Sequence, residues 1–193
     1  MLQFFAEKRV FFNRILGLFL IALIYFSPTI NLNSINMENY NTSLWNISGM
    51  ILMVLGSIGR IWASLFIEGH KTKKVITDGP YSLIRHPLYL FSLMILLSLF
   101  LAIKSVFIGL YLLTMFILFH IPTVLNEERV LTELHGGDYL QYKNRVSRFI
   151  PNIFIYKKAE KDTYLDIRLQ RVQQVMIEAV LLIILYEAII FLN

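Results

Sequence analysis

Five long apolar stretches constrain this 193-residue chain more than any other feature. A helix needs about 20 mainly apolar residues to cross the hydrocarbon of a bilayer. The stretches run from Val10 to Pro28, Trp45 to Ile67, Leu88 to Ile103, Val106 to Leu125 and Val172 to Leu192. Charge is sparse, at 16% of residues against 56% hydrophobic, where a soluble domain has about 25% charged. An all-α polytopic membrane helix bundle of about five transmembrane helices is therefore predicted, as a single domain over 1–193. No small-residue cleavage pattern follows the first stretch, so it is read as a retained span. Cysteine is absent, which excludes disulfide scaffolds and thiol chemistry.

The basic residues give orientation. Lys8, Arg9 and Arg14 precede or open the first stretch, and the segment from Asn31 to Leu44 has no Lys or Arg. Lys71, Lys73, Lys74 and Arg85 lie between the second and third stretches, and only Lys104 between the third and fourth. Nine Lys and Arg residues follow the fourth, from Arg129 to Arg171. This alternation obeys the positive-inside rule and places the N-terminus and both large basic segments in the cytoplasm. The net charge of +5 is thus a topology and lipid-surface signal, and nucleic-acid binding is not expected.

The fifth stretch has two readings: a span packed against the bundle, or an amphipathic helix along the interface. Glu178 and Glu187 are nine residues apart and fall on opposite helical faces. One of them must therefore meet protein or water, and the packed span is the reading adopted.

Two polar segments on the cytoplasmic side are candidates for chemistry. The first ends in Asp78-Gly79-Pro80-Tyr81-Ser82-Leu83-Ile84-Arg85-His86-Pro87-Leu88-Tyr89. Pro87 suits the first helical position, which puts His86 at the cap beside the positive end of the helix dipole. Such a terminus can receive an anion. Tyr89 projects from nearly the same face, although Tyr and His also serve as plain interfacial anchors. The second segment extends the fourth stretch through Asn126-Glu127-Glu128-Arg129, with a stop expected at Gly136-Gly137. Its paired carboxylates can be solvated or can balance a cationic ligand at the bundle mouth.

These blocks, followed by Tyr139, Tyr142, Arg145-Val146 and Arg148-Phe149-Ile150-Pro151, resemble the isoprenylcysteine carboxyl methyltransferase family and the related phospholipid N-methyltransferases. The resemblance covers about residues 56–151, including Gly56-Ser57-Ile58-Gly59-Arg60; the C-terminal helix, 168–192, lies outside it. It implies an integral membrane enzyme that uses S-adenosylmethionine to methylate a lipidic or amphiphilic acceptor at the cytoplasmic face. Val75, Ile76, Tyr81, His86, Pro87, Leu88, Tyr89 and Glu127 fall on its cofactor-contacting positions. The cofactor's cation suits Glu127, its carboxylate the start of the third span, and its adenine Tyr81 or Tyr89. The segment from His135 to Pro151 is expected to fold over the cofactor as a lid. No metal site and no catalytic base are assigned.

Arg60, Arg85, His120 and Glu128 are the substrate-side candidates. Arg60 lies seven residues inside the end of its span and is expected either to snorkel or to pair, with Glu127 or Glu128 as partner. His120 shares a face with Glu127 and either lines the same cavity or bonds within the bundle. Two departures from the family pattern stand out: Phe91 replaces a glycine, and Thr123 replaces an arginine associated with substrate. The rival readings are an NADPH-dependent enzyme of the sterol-reductase kind and a non-enzymatic scaffold or transport subunit.

Overall fold

The structure, a computed structural model, describes residues 42–67, 75–158 and 169–192. The expected first span, its flanking charges and Lys71, Lys73 and Lys74 lie outside the described residues. Every regular element among the described residues is helical: α1 (Thr42–Ile67), the short α2 (Pro80–Leu83), α3 (Pro87–Ile103), α4 (Val106–Arg145), a 3-10 turn (Ile153–Ile155) and α5 (Leu169–Leu192). Among the described residues, three helices are long and apolar enough to cross a membrane, within Leu44–Ile67, Val106–Arg145 and Gln173–Phe191. The shorter apolar α3 has 17 residues, about 25 Å of helix and the low end of a spanning length.

The exposed side chains of these helices are themselves apolar. On α1 the stripe Leu44, Ile47, Ile51, Leu55, Ile58 is exposed, and on α5 Ile177, Val180, Leu181 and Ile184 are. In water such faces would be an aggregation liability; against lipid tails they are the expected outer surface. Serine hydroxyls inside the bundle turn back on their own helix. Ser92 donates to the Leu88 carbonyl at 2.8 Å and Ser98 to that of Ile95 at 2.6 Å.

Without a hydrophobic drive between helices, close approach must come from small residues. Gly56 and Gly59 of α1 provide it for α3. A Cβ on Gly56 would lie 3.0 Å from the Phe91 carbonyl oxygen and 3.2 Å from the Ile95 nitrogen, both backbone atoms. Gly59 leaves the space that the Phe91 ring occupies. The family glycine replaced by Phe91 is thus matched by a glycine on the facing helix, and the approach is kept. On the other flank of α1, Tyr186 of α5 is fully buried and donates to the Asn46 carbonyl at 2.7 Å. Met53, Ile95, Ala102, Ile108, Leu112, Tyr186 and Ile189 form the core where α1, α3, α4 and α5 meet. The C-terminal helix therefore packs on the bundle.

Arg60 corrects one expectation. It pairs with Glu178 of α5 at 3.5 Å, and not with Glu127 or Glu128. The C-terminal helix supplies an acid on the same flank of α1, and this pair also accounts for Glu178.

The 40 residues of α4 amount to about 60 Å, twice the hydrocarbon thickness, so its second half must stand beyond the bilayer. The expected stop at Gly136 is a sharp break in place of an end. Gly136 has φ 49° and ψ −117°, a backbone conformation open to glycine, and the helix then resumes to Arg145. It resumes because Tyr139, Tyr142 and Val146 form a buried stripe against Val75, Leu131 and Ile155.

Residues 146–158 then return along the loop before α3 as a strap. The Arg85 nitrogen donates to the Ser147 carbonyl at 3.0 Å, the Asn152 nitrogen to Leu83 at 2.9 Å, and the Gly79 nitrogen to Lys157 at 2.8 Å. The Lys157 nitrogen donates to the Ser82 hydroxyl at 2.9 Å.

Replacing Gly56 with valine should separate α1 from α3, because behind the Ile95 side chain, which is nearest at 2.8 Å, it meets backbone atoms that cannot rotate away. Thermal unfolding in detergent should show a loss of about 1–3 kcal/mol, typical of overpacking. A Gly137→Ala control, with open space around the new Cβ, should cost far less.

Candidate functional site

Two turns of helix, one from each neighbouring element, build the site. Pro87 opens α3 and His86 is its N-cap residue, but the His86 ring caps no amide. It turns toward α4 instead, where Glu127 and Glu128 stand just past the apolar half of the helix. Adjacent residues on a helix point about 100° apart, so the two carboxylates have different surroundings.

Glu128 faces inward and is 4% exposed. It accepts from His86 Nε2 at 3.1 Å, Arg148 Nη2 at 2.7 Å and Arg148 Nε at 3.0 Å, and Arg85 Nη1 lies 2.9 Å away. The Arg148 contact is a two-pronged fork, the strongest geometry available to a guanidinium and carboxylate. Burial pushes the Glu128 carboxyl up, but the hydrogen bonds of His86 and Arg148 and the charge of Arg85 outweigh it and hold it at about 2. An ionised carboxylate is acceptor-only, so His86 Nε2 carries the proton that points at it.

Glu127 is the outward partner, with its side chain 37% exposed. Tyr89 donates to it at 3.0 Å, and His86 Nδ1 lies 4.0 Å from its other oxygen. His86 is thus held between an enclosed carboxylate and an open one. The row continues through aromatic rings: Tyr89 meets His120 edge-on at 5.2 Å, and His120 stacks on Phe116 at 4.0 Å. His120 also donates from Nδ1 to the Phe116 carbonyl at 3.0 Å, which is the bond within the bundle that one reading of it expects.

The predicted residues divide clearly. Arg85, His86, Pro87, Leu88, Tyr89, His120, Glu127 and Glu128 gather where α3 meets α4. Val75 packs with the Tyr139–Tyr142–Val146 stripe, and Ile76 is half-buried after it. Arg60 belongs instead to the α1–α5 contact. The side chains of Arg85 and Glu128 are 9% and 5% exposed and face each other, which places both inside the scaffold of the site.

Sequence reasoning missed Arg148 as a site residue, together with the roles of Tyr139 and Tyr142. Tyr142 donates to the Tyr81 carbonyl at 2.7 Å and so locks the turn before α3. Tyr139 is buried beside Arg85 and Glu128; burial, reinforced by the Glu128 charge, raises its hydroxyl to about 12. The Tyr81 hydroxyl is buried with no hydrogen-bond partner among the described residues. The signal that could have revealed Arg148 is charge balance: two adjacent acids at a bilayer boundary need more than one nearby cation.

The Arg-His-Pro helix start and the Glu-Glu pair both fall inside a region that matches a known family. The chain belongs to the phospholipid methyltransferase family, the match running over residues 41–138. It is 33% identical over 109 residues to the cobalt-zinc-cadmium resistance protein CzcN of Cupriavidus metallidurans, covering 56% of this chain and 50% of that protein. It is 30% identical over 117 residues to the nickel-cobalt-cadmium resistance protein NccN of Alcaligenes xylosoxydans xylosoxydans, covering 61% of this chain and 54% of that protein. The chain therefore spans about half the length of the curated relatives it matches. No solved structure matches it.

Replacing Glu128 with alanine should leave Arg85, Arg148 and His86 facing an empty centre, at a cost of about 3–5 kcal/mol. The acid response has a definite sign. The folded carboxyl sits near 2, below its ordinary 4.5, so its contribution is complete above about 4.5 and fades as pH falls toward 2. Thermal unfolding from pH 6 to 2.5 should show the wild-type advantage over Glu128→Gln shrinking across that window.

Proposed function

We propose that this chain transfers a methyl group from S-adenosylmethionine to a lipidic or amphiphilic acceptor at the cytoplasmic face of a membrane. The observation that carries the reading is the division of labour at Glu127-Glu128: one carboxylate is enclosed by three basic side chains, while the other keeps open surface beside the start of α3. Membership of a family of membrane methyltransferases supports it.

The residues present fit the cofactor's chemistry. Glu127 would hold its cationic end by a charge-assisted contact. The start of α3, where Pro87 and Leu88 begin the helix, offers the positive dipole end to its carboxylate. For the adenine, Tyr89 is half-buried, whereas the Tyr81 ring is enclosed at 7% exposure. Tyr81 instead brings a buried hydroxyl with hydrogen-bonding capacity to spare. Val75 and Ile76 would close the apolar side.

The bound cofactor supplies an activated methyl on a good leaving group. What remains for the protein is to hold the partners in line and to exclude water. Glu128 does the first indirectly: its contacts with Arg85, His86 and Arg148 tie α3, α4 and the strap into one frame. The strap and the helical stretch before it would serve the second purpose as the cover over the site. An ionised acceptor needs no base, and an amine acceptor must arrive unprotonated, so no residue is assigned that role. The acceptor would enter from the bilayer, because the site adjoins the ends of α3 and the apolar half of α4. Metal tolerance, named in the two relatives, is a setting in which such an activity can be assayed by gene deletion and growth on cobalt, zinc or cadmium.

Purified full-length protein should bind S-adenosylhomocysteine in calorimetry and should not bind NADPH; the reverse result would sink the methyltransferase reading. Glu127→Gln should weaken S-adenosylhomocysteine by about tenfold to a hundredfold, the worth of a hydrogen bond to a charged group. Unchanged affinity would remove Glu127 from the cofactor site. With methyl-labelled cofactor and native membranes, label should appear in the organic-soluble fraction.

A further inference from the structure

The strap carries an apolar surface that the site does not use. Phe154 is 92% exposed, Ile150 76% and Ile153 70%, with Phe149 and Tyr156 more than half exposed. These side chains are held outward by the fold. The strap's backbone is pinned to the 79–85 loop at Ser147, Asn152 and Lys157, and the Asn152 side chain accepts from the Phe154 nitrogen at 3.0 Å. With its polar backbone groups directed at the loop, five apolar side chains are left facing away.

Position and charge identify what they face. The loop partners, Leu83 and Arg85, stand within four residues of Pro87, the first residue of the membrane helix α3. The strap therefore lies at the bilayer boundary. From Tyr139 to Ala159 the sequence has five basic residues and no acidic one; Arg148 is engaged by Glu128 and Lys157 by Asp78 at 3.0 Å, which leaves Lys143, Arg145 and Lys158 to set the charge of this surface. Large apolar side chains flanked by lysines and arginines are the composition of a segment that lies in the headgroup layer of an anionic leaflet.

We propose that residues 149–158 form a second, interfacial membrane anchor, in which Phe149, Ile150, Ile153, Phe154 and Tyr156 enter an anionic lipid surface while Lys158 meets its phosphates. The strap that brings Arg148 to Glu128 is then tied to the bilayer as well as to the protein. This inference rests on exposure and charge, and holds whichever cofactor the site takes.

The absence of cysteine makes a direct test available. Full-length Phe154→Cys and, separately, Ile150→Cys are labelled with a nitroxide and reconstituted in vesicles of phosphatidylglycerol and phosphatidylcholine. Power saturation with oxygen and a water-soluble nickel chelate then reports depth, with Asp138→Cys, exposed just past the break in α4, as the aqueous reference. The oxygen-to-nickel accessibility ratio at both strap positions should exceed that at 138 by roughly threefold or more, and should fall in pure phosphatidylcholine. Ratios equal to the reference in anionic vesicles would overturn the anchor. Immersion that is the same in both lipids would overturn its anionic character. Disulfide-linked dimers of the unlabelled Phe154→Cys variant would assign the surface to a second copy of the chain and overturn it equally.

Discussion

A single buried carboxylate holds three separate parts of this chain together. Glu128 comes from α4, Arg85 and His86 from the loop and cap of α3, and Arg148 from the strap, and each cation reaches the same pair of oxygens. Taking such groups out of water costs several kcal/mol per ion, and their attraction repays it only when every lone pair is used. Here the oxygens of Glu128 meet a guanidinium fork, an imidazole and a second guanidinium. The gain is geometric: once Glu128 is satisfied, Glu127 one residue earlier has a fixed direction, and so does the His86 ring between them.

Lipid acts as the solvent for the rest. The helices bury little against each other and present Leu, Ile and Phe outward, so their association depends on a few contacts of closely matched shape. Gly56 and Gly59 against α3, Gly49 beneath Tyr186 and Gly109 beneath Phe100 are among the places where the chain removes a side chain to bring another element close. The Arg60–Glu178 pair serves the same end electrostatically, joining α1 to α5 with charges that would each be costly alone.

Most of the architecture is legible in the sequence because spanning helices are long and their periodic content is strong. The four apolar stretches among the described residues coincide with α1, α3, the first part of α4 and α5. The meeting of His86 and Tyr89 with the paired glutamates is legible too, because each falls at a helix position with a definite direction. What is not legible depends on chain reversal. Arg148 lies 20 residues beyond Glu128, across the Gly136 break, and no helical spacing relates them. Sequence reasoning matches Arg60 with the wrong acid for a similar reason: spacing along one helix says nothing about which neighbour lies on which side. Phe91 departs from the family pattern without harm because its counterpart, Gly59, is visible only once α1 and α3 are set side by side.

The strap also sets an order of assembly. Its contacts join residues 79–85 to residues 142–157, a separation of about sixty to eighty positions, whereas α3 and α4 are joined by a tight hairpin at Lys104 and Ser105. Local hairpins form early and distant contacts late, since a longer loop must close first. A growing chain therefore seats α3 and α4 while Glu128 still lacks its fork, and the carboxylate stays under-neutralised until Arg148 has been made. Completion of the site thereby reports completion of the chain through the strap. A product broken off before Arg148 would keep α1, α3 and α4, lose α5, and leave Glu128 with Arg85 and His86 but without its fork.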